Sequence, residues 1–221
     1  VTITGSGGVG KTRLAWEVVN ILHPHFPDGF CVVELAHITD AASVLSVFSQ
    51  ALHLPLSGVQ HDADLRLQLV RRQCLLLIDN CEHVTNELEP LITLLLRLAP
   101  RIKLLLTSQV ALQITGEQQY LLPPLQVPQE TGSDNAALMS FASVRLFIER
   151  VQANQHDFHP SERELALIGE LCRHLDGLPL AIELAASRLP FMSIREIYNR
   201  LEDRFPLLSN THGSLEPRHQ K

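Results

Sequence analysis

Gly5-Ser6-Gly7-Gly8-Val9-Gly10-Lys11-Thr12 fits the pattern G-x-x-x-x-G-K-[ST], and few short patterns restrict a fold so severely. The loop works only where a strand runs into it and a helix leaves it. Both are present: Val1 to Thr4 predicts a strand, and Lys11 to Leu22 a helix closed off by Pro24 and Pro27. Phosphate oxygens need several backbone N–H groups converging on them, and glycines let the chain fold that closely. The Lys11 ammonium is placed to reach β- and γ-phosphates and the Thr12 hydroxyl to bind magnesium, while the helix aims its positive end at the anion. The candidate binding set is therefore Gly5, Ser6, Gly7, Gly8, Val9, Gly10, Lys11 and Thr12, with Arg13 beside them.

A loop of this kind needs a second magnesium contact, typically an aspartate that ends an apolar strand. "CLLLIDN" from Cys74 to Asn80 supplies Asp79. Hydrolysis needs in addition a base or positioner for the attacking water, and the neighbouring Asn80 cannot accept a proton. Glu82 is the candidate substitute; the alternative is a surface carboxylate opening the next helix. Lys11, Asp79 and Glu82 thus form the candidate catalytic set. Ser108 and Gln109 end a further strand, where a polar residue could sense the γ-phosphate, and spacing does not choose between that role and ordinary strand-end polarity.

Further strands are predicted at Phe30–Ala36, Lys103–Ser108 and Gln119–Leu122, and helices at Asp40–Leu52, Asp64–Arg72 and Val84–Ala99. Apolar strands separated by helices indicate a parallel sheet covered on both faces. After Pro123-Pro124 the character changes. Glu130 to Asn135 is polar and turn-rich, and beyond it no strand signal appears. Val144–Ala153 reads as helical, and "SERE" at Ser161–Glu164 as a capping box for a helix to His174. Asp176-Gly177 stops that helix and Pro179 starts the next; "SIRE" at Ser193–Glu196 caps a last one. The expected organisation is an α/β domain at 1–135, a small helical domain at 136–209 and a polar tail at 210–221.

The net charge of -6 supplies no overall basic field, so this segment is not expected to contact nucleic acid directly. The four cysteines lack C-x-x-C spacing and read as reduced core thiols, and "CEH" at Cys81–His83 offers no converging ligand set for a metal. The longest apolar run, Leu91–Leu96, is too short to span a bilayer, and a cytoplasmic protein is expected. The chain opens directly on a strand, without methionine, and reads as an excerpt of something longer.

"GSGGVGKTRLA", "LLLIDNCEH", "LLLTS", "LPPL", "DGLPLAIELAASRL" and "RLEDRFPLL" follow one another in that order. The set resembles the signal-transduction ATPases with numerous domains (STAND), related to the NB-ARC modules of plant resistance proteins and apoptotic scaffolds. Within them it is most similar to the ATPase segment of bacterial transcriptional regulators of the LuxR and SARP types. The resemblance implies a P-loop NTPase fold with a five-stranded parallel sheet ordered 5-1-4-3-2, followed by a helical domain. It implies a switch held closed by ADP and opened by exchange for ATP, with slow ATP hydrolysis, self-association in the ATP form and coupling to other domains of the same polypeptide. Under it Gly8, Gly10, Lys11 and Thr12 bind phosphates, Asp79 serves magnesium, and Pro179 packs against the adenosine end. Relatives often carry "TSR" or "TTR" where this chain has Thr107-Ser108-Gln109; a neutral glutamine contacts a γ-phosphate less strongly than arginine does. The competing functions are a nucleotide-binding scaffold without hydrolysis and a small-molecule kinase or hydrolase of the P-loop type.

Overall fold

The computed structural model describes residues 1–38, 40–54, 69–129 and 135–202. The chain divides into two compact units, Val1–Pro123 and Pro124–Lys221.

The first unit carries β1 (Thr2–Thr4), α1 (Lys11–Leu22), β2 (Phe30–Glu34), α2 (Ala41–Ala51), β3 (Leu75–Asp79), α3 (Thr85–Leu98), β4 (Lys103–Ser108) and β5 (Gln119–Leu121). The five strands form one sheet in the order β2-β3-β4-β1-β5, with every pairing parallel. This is the expected order read from the other edge. Strand β3 shows why the sheet closes on both sides. Its residues alternate between faces: Leu75 and Leu77 pack with Ala15 and Val19 of α1, whereas Leu76 and Ile78 pack with Val44 and Phe48 of α2 and Leu88 and Ile92 of α3. None of the four is more than 3% exposed. An apolar run of this kind belongs to a strand covered by helices on both faces, and both layers are there.

Helix ends follow their sequence signals. The Asp40 carboxylate accepts from the Ser43 N–H at 2.9 Å and caps α2. The strand expected through Ala36 ends at Glu34: the Leu35 N–H makes the last bond of the ladder, to the Asp79 carbonyl at 3.1 Å, and the Leu35 carbonyl then accepts from the Ile38 N–H at 2.9 Å in a turn. The helix expected at Asp64–Arg72 and the tail after residue 209 lie outside the described residues, apart from the few at 69–72.

The second unit is helical: α4 (Asn135–Ser140), α5 (Ala142–Gln152), α6 (Glu162–His174), α7 (Pro179–Ala186) and α8 (Ile194–Glu202). Phe147, Ile168, Leu171 and Ile182 are fully buried at its centre. Helix α4 is an addition to the expected set, and α7 ends at Ala186, earlier than the periodicity of "PLAIELAASRL" indicates. The division falls at Pro123–Pro124, before the polar stretch at which the sequence places it. The segment after Pro124 is tied to the helices by the Leu125 N–H, which donates to the Gly177 carbonyl at 3.0 Å, and by the Ser143 hydroxyl, which donates to the Gln126 carbonyl at 2.7 Å.

Both capping boxes form. At α6 the Ser161 N–H and hydroxyl donate to Glu164 at 2.8 and 2.7 Å, and the Glu164 N–H returns to Ser161 Oγ at 3.4 Å. The Ser161 hydroxyl and backbone N–H hold the Glu164 carboxyl below the usual carboxylate range. A carboxyl depressed by folding contributes stability above its unfolded pKa, and that contribution fades as pH falls through the folded value. Ser161→Ala is therefore expected to cost about 1 kcal/mol at neutral pH and to shrink the loss of stability on acidification. Thermal unfolding of both proteins at pH 7 and at acid pH checks this.

Candidate functional site

The glycine loop is built as its pattern requires. Gly8 (φ 76°) and Gly10 (φ 102°) lie in the left-handed region that favours glycine. Gly5, with φ 150°, is fixed by close approach: a Cβ there would stand 2.8 Å from the Leu122 carbonyl oxygen and 3.2 Å from Val9 Cγ1. Val9 is buried and anchors the loop. Gly10 opens α1 with no side-chain cap and no acid in the first turn, leaving the first-turn N–H groups for an anion. The Lys11 ammonium lies over the loop and donates to the carbonyls of Gly5 at 2.9 Å and Ser6 at 3.0 Å. Arg13 is exposed on the same helix.

Adjacency of β3 to β4, and of β4 to β1, brings the remaining candidates to the loop. The Thr12 hydroxyl donates to Asp79, 2.8 Å to Oδ1 and 3.1 Å to Oδ2. The Thr107 hydroxyl of β4 also donates to Asp79 Oδ1 and accepts from the Asn80 N–H at 3.0 Å. Asn80 takes a left-handed conformation (φ 63°, ψ 56°), turning the chain sharply after Asp79 into the short 3-10 turn Cys81–His83. That turn carries Glu82 back towards β4, where Gln109 Nε2 donates to Glu82 Oε1 at 3.0 Å. The other oxygen, Oε2, is buried and has no hydrogen-bond partner among the described residues. Gln109 Nε2 also lies 4.0 Å from where a Cβ on Gly7 would be, so this amide borders both the glycine loop and Glu82.

Of the two polar residues at the end of β4, Ser108 is buried and its hydroxyl accepts from the Val110 N–H at 3.3 Å. Gln109 is the exposed one. Thr107 is the residue that sequence reasoning missed; its only signal is its place at the end of a strand beside the Asp79 strand. Cys81 is buried, and its thiol donates to the Ile78 carbonyl at 3.5 Å, turned into the core. Pro179 opens α7 in the second unit as its first helical residue, where its fixed φ suits the turn.

The donor set fits the groups its pattern implies. Thr12 and Asp79 offer hard oxygen ligands for magnesium. A Cβ at Gly10 would meet nothing within 4 Å, so the loop's mouth is open at that position.

The family model described as AAA domain matches residues 1–117, which hold the glycine loop, Asp79, Glu82 and Gln109. The chain belongs to the AAA domain family. An AAA domain is a P-loop ATPase fold, and nucleotide binding is what that fold carries. This AAA domain is similar to a Mycobacterium tuberculosis protein named as an HTH-type transcriptional regulator, 36% identical over 210 residues that make up 95% of this chain and 22% of that protein. It is also similar to the regulatory protein AfsR of Streptomyces griseus, 34% identical over 196 residues, 85% of this chain and 18% of that protein. The chain thus spans about a fifth of the length of these curated relatives. Among solved structures, Cdc6p of Pyrobaculum aerophilum shares the fold with a TM-score of 0.58 at 14% identity, over 90% of this chain and 56% of that one. The ORC2 protein of Aeropyrum pernix does so with a TM-score of 0.57 at 16% identity, over 92% and 61%. Among the described residues of the AAA domain chain, no helix is long and apolar enough to cross a membrane.

Proposed function

We propose that this chain is the ATP- and ADP-binding switch of a larger cytoplasmic regulator of the STAND type, with slow ATP hydrolysis. The observation that carries the reading is the meeting of Lys11, Thr12, Asp79, Glu82 and Gln109 around one glycine loop. Gly5 to Thr12 present backbone N–H groups to the phosphates, with Arg13 at the margin, and Lys11 contributes the charge. Thr12 and Asp79 would hold magnesium, which when bound neutralises phosphate charge. Glu82 accepts the proton of the attacking water, and Gln109 orients that carboxylate while facing the γ-phosphate. Pro179 is the residue assigned to the adenosine end.

A switch that moves from 1:99 to 99:1 needs about 5.5 kcal/mol of differential affinity between its two states. Signal transduction, self-association in the ATP form and control of transcription through other domains of the polypeptide complete the reading. Direct DNA contact is assigned to those other domains, since this segment carries a net charge of -6.

The test is binding of ATP, ADP and GTP with magnesium, followed by turnover. Adenine-selective binding with slow phosphate release supports the reading; no binding in a longer chain that includes both flanks overturns it. Glu82→Gln is expected to leave ATP affinity unchanged and to slow turnover about a hundredfold. A second reading, a scaffold that binds nucleotide without hydrolysis, draws on Asn80, which stands beside Asp79 and cannot act as a base. Tight ADP binding with no turnover in either protein favours it.

A further inference from the structure

At the end of the sheet opposite the glycine loop, two of the four cysteines lie on one face of neighbouring strands. Strand β2 pairs with β3 in the register Cys31↔Leu76, and Cys74 lies two positions before Leu76. Residues two apart on a strand share a face, and Cys31 and Cys74 both pack into the core formed with α2 and α3. The backbone around them is stitched together. The Asp28 N–H donates to the Gln73 carbonyl at 3.2 Å, the Gln73 N–H to Asp28 Oδ2 at 2.7 Å and the Leu75 N–H to the Gly29 carbonyl at 3.1 Å. The two thiols differ in setting: Cys74 is buried, whereas Cys31 is half-buried on an edge strand.

We propose that Cys31 and Cys74 form an oxidisable dithiol, in which Cys31 reacts with a peroxide and Cys74 closes the disulfide. A redox-sensitive pair needs an accessible thiol held as thiolate and a second thiol beside it to resolve the product. The Cys74 thiol beside it and, more weakly, the Arg72 guanidinium bring Cys31 down to about 7 against the opposing effect of burial. Cys74 is pushed strongly upward by the neighbouring Cys31 and by burial; Asp28 acts in the same direction and Arg72 against it.

The chemistry closes with a peroxide as the oxidant. The Cys31 thiolate attacks one peroxide oxygen, an S–O bond forms, the O–O bond breaks and hydroxide leaves as water after protonation. Cys31 is then a sulfenic acid. Cys74 gives up its proton and attacks the Cys31 sulfur, forming S–S and breaking S–O, and a second water leaves. Two thiols and hydrogen peroxide become a disulfide and two waters. Cys74 lies one residue before β3 begins, at the end of the ladder, where its carbonyl accepts from the Lys103 N–H at 3.0 Å.

Cys81 and Cys172 serve as internal controls, since burial pushes both thiols up, Cys172 to about 12. The experiment treats the reduced full chain with one equivalent of hydrogen peroxide at pH 7 and maps the products by peptide mass spectrometry. The expected result is a Cys31–Cys74 cross-linked peptide, with Cys81 and Cys172 still reduced. Iodoacetamide is expected to label Cys31 at least about tenfold faster than either control. In Cys74→Ser the sulfenic acid at Cys31 is expected to persist and to be trapped by dimedone, and Cys31→Ser is expected to give neither product. Oxidation of Cys81 or Cys172 before Cys31, or over-oxidation of Cys31 with no cross-link, overturns the proposal. The mapping on the unsubstituted chain decides the matter even where a variant fails to fold.

Discussion

Replacing Lys11 by alanine is expected to weaken ATP and ADP binding several hundredfold while leaving the fold intact. The ammonium donates to the Gly5 and Ser6 carbonyls and stands over the loop that would receive the phosphates. A hydrogen bond from a charged donor contributes about 1.5–3 kcal/mol, and two phosphate oxygens within reach of one ammonium bring the loss to roughly 3–4 kcal/mol. The side chain is only partly buried, so its removal is expected to change stability by less than about 1 kcal/mol. Titration calorimetry with each nucleotide, beside a thermal unfolding curve, separates the two effects. Unchanged affinity in a properly folded Lys11→Ala protein would remove the loop from the account of function.

Gly177→Ala is expected to destabilise the helical unit by about 4 kcal/mol. Two effects add at this position. Gly177 has φ 65°, following Asp176 at φ 51°, so two consecutive residues turn left-handed to end α6. A methyl group on Gly177 would also stand 2.1 Å from the Leu125 carbonyl oxygen and 3.1 Å from Val127 Cγ1, inside any permissible contact. The strap after Pro124 would have to leave the helices, giving up the bond from the Leu125 N–H to the Gly177 carbonyl. Urea unfolding followed by far-UV circular dichroism reads the helices of both units, and the fluorescence of Trp16, the single tryptophan, reports the first unit alone, so that the difference isolates the helical unit. A helical transition at its original midpoint would mean that the strap is dispensable.

The features legible in the sequence are those written in local spacing. The glycine loop lies between its strand and helix, "LLLI" before Asp79 declares a strand with two covered faces, and Ser-x-x-Glu announces the starts of α6 and α8. What sequence reasoning missed depends on contacts between distant segments. Thr107 becomes a partner of Asp79 only because β4 lies beside β3, a neighbour relation that no local window contains. Gln109 and Glu82 were each legible as candidates, but that one holds the other follows from the left-handed turn at Asn80, a residue whose type permits that conformation without requiring it. Helix α4 emerges from a polar, turn-rich stretch, where a short helix leaves little periodicity to detect. The segment after Pro124 is held by hydrogen bonds to Gly177 and Ser143, both more than a dozen residues downstream.

The Thr107 hydroxyl spends its single proton on Asp79 and receives one from the Asn80 N–H. Only a hydroxyl does both in that space: valine would match the shape but strand the Asn80 N–H and take one of two donors from Asp79, and asparagine would be too large for a site with no exposed surface. Position 107 should therefore drift between threonine and serine alone as descendants of this sequence diverge. The buried leucines around it are free to exchange for other aliphatic residues. A census of many diverged copies would then show a narrow choice at one site amid broad tolerance, the imprint of a bond and not of packing.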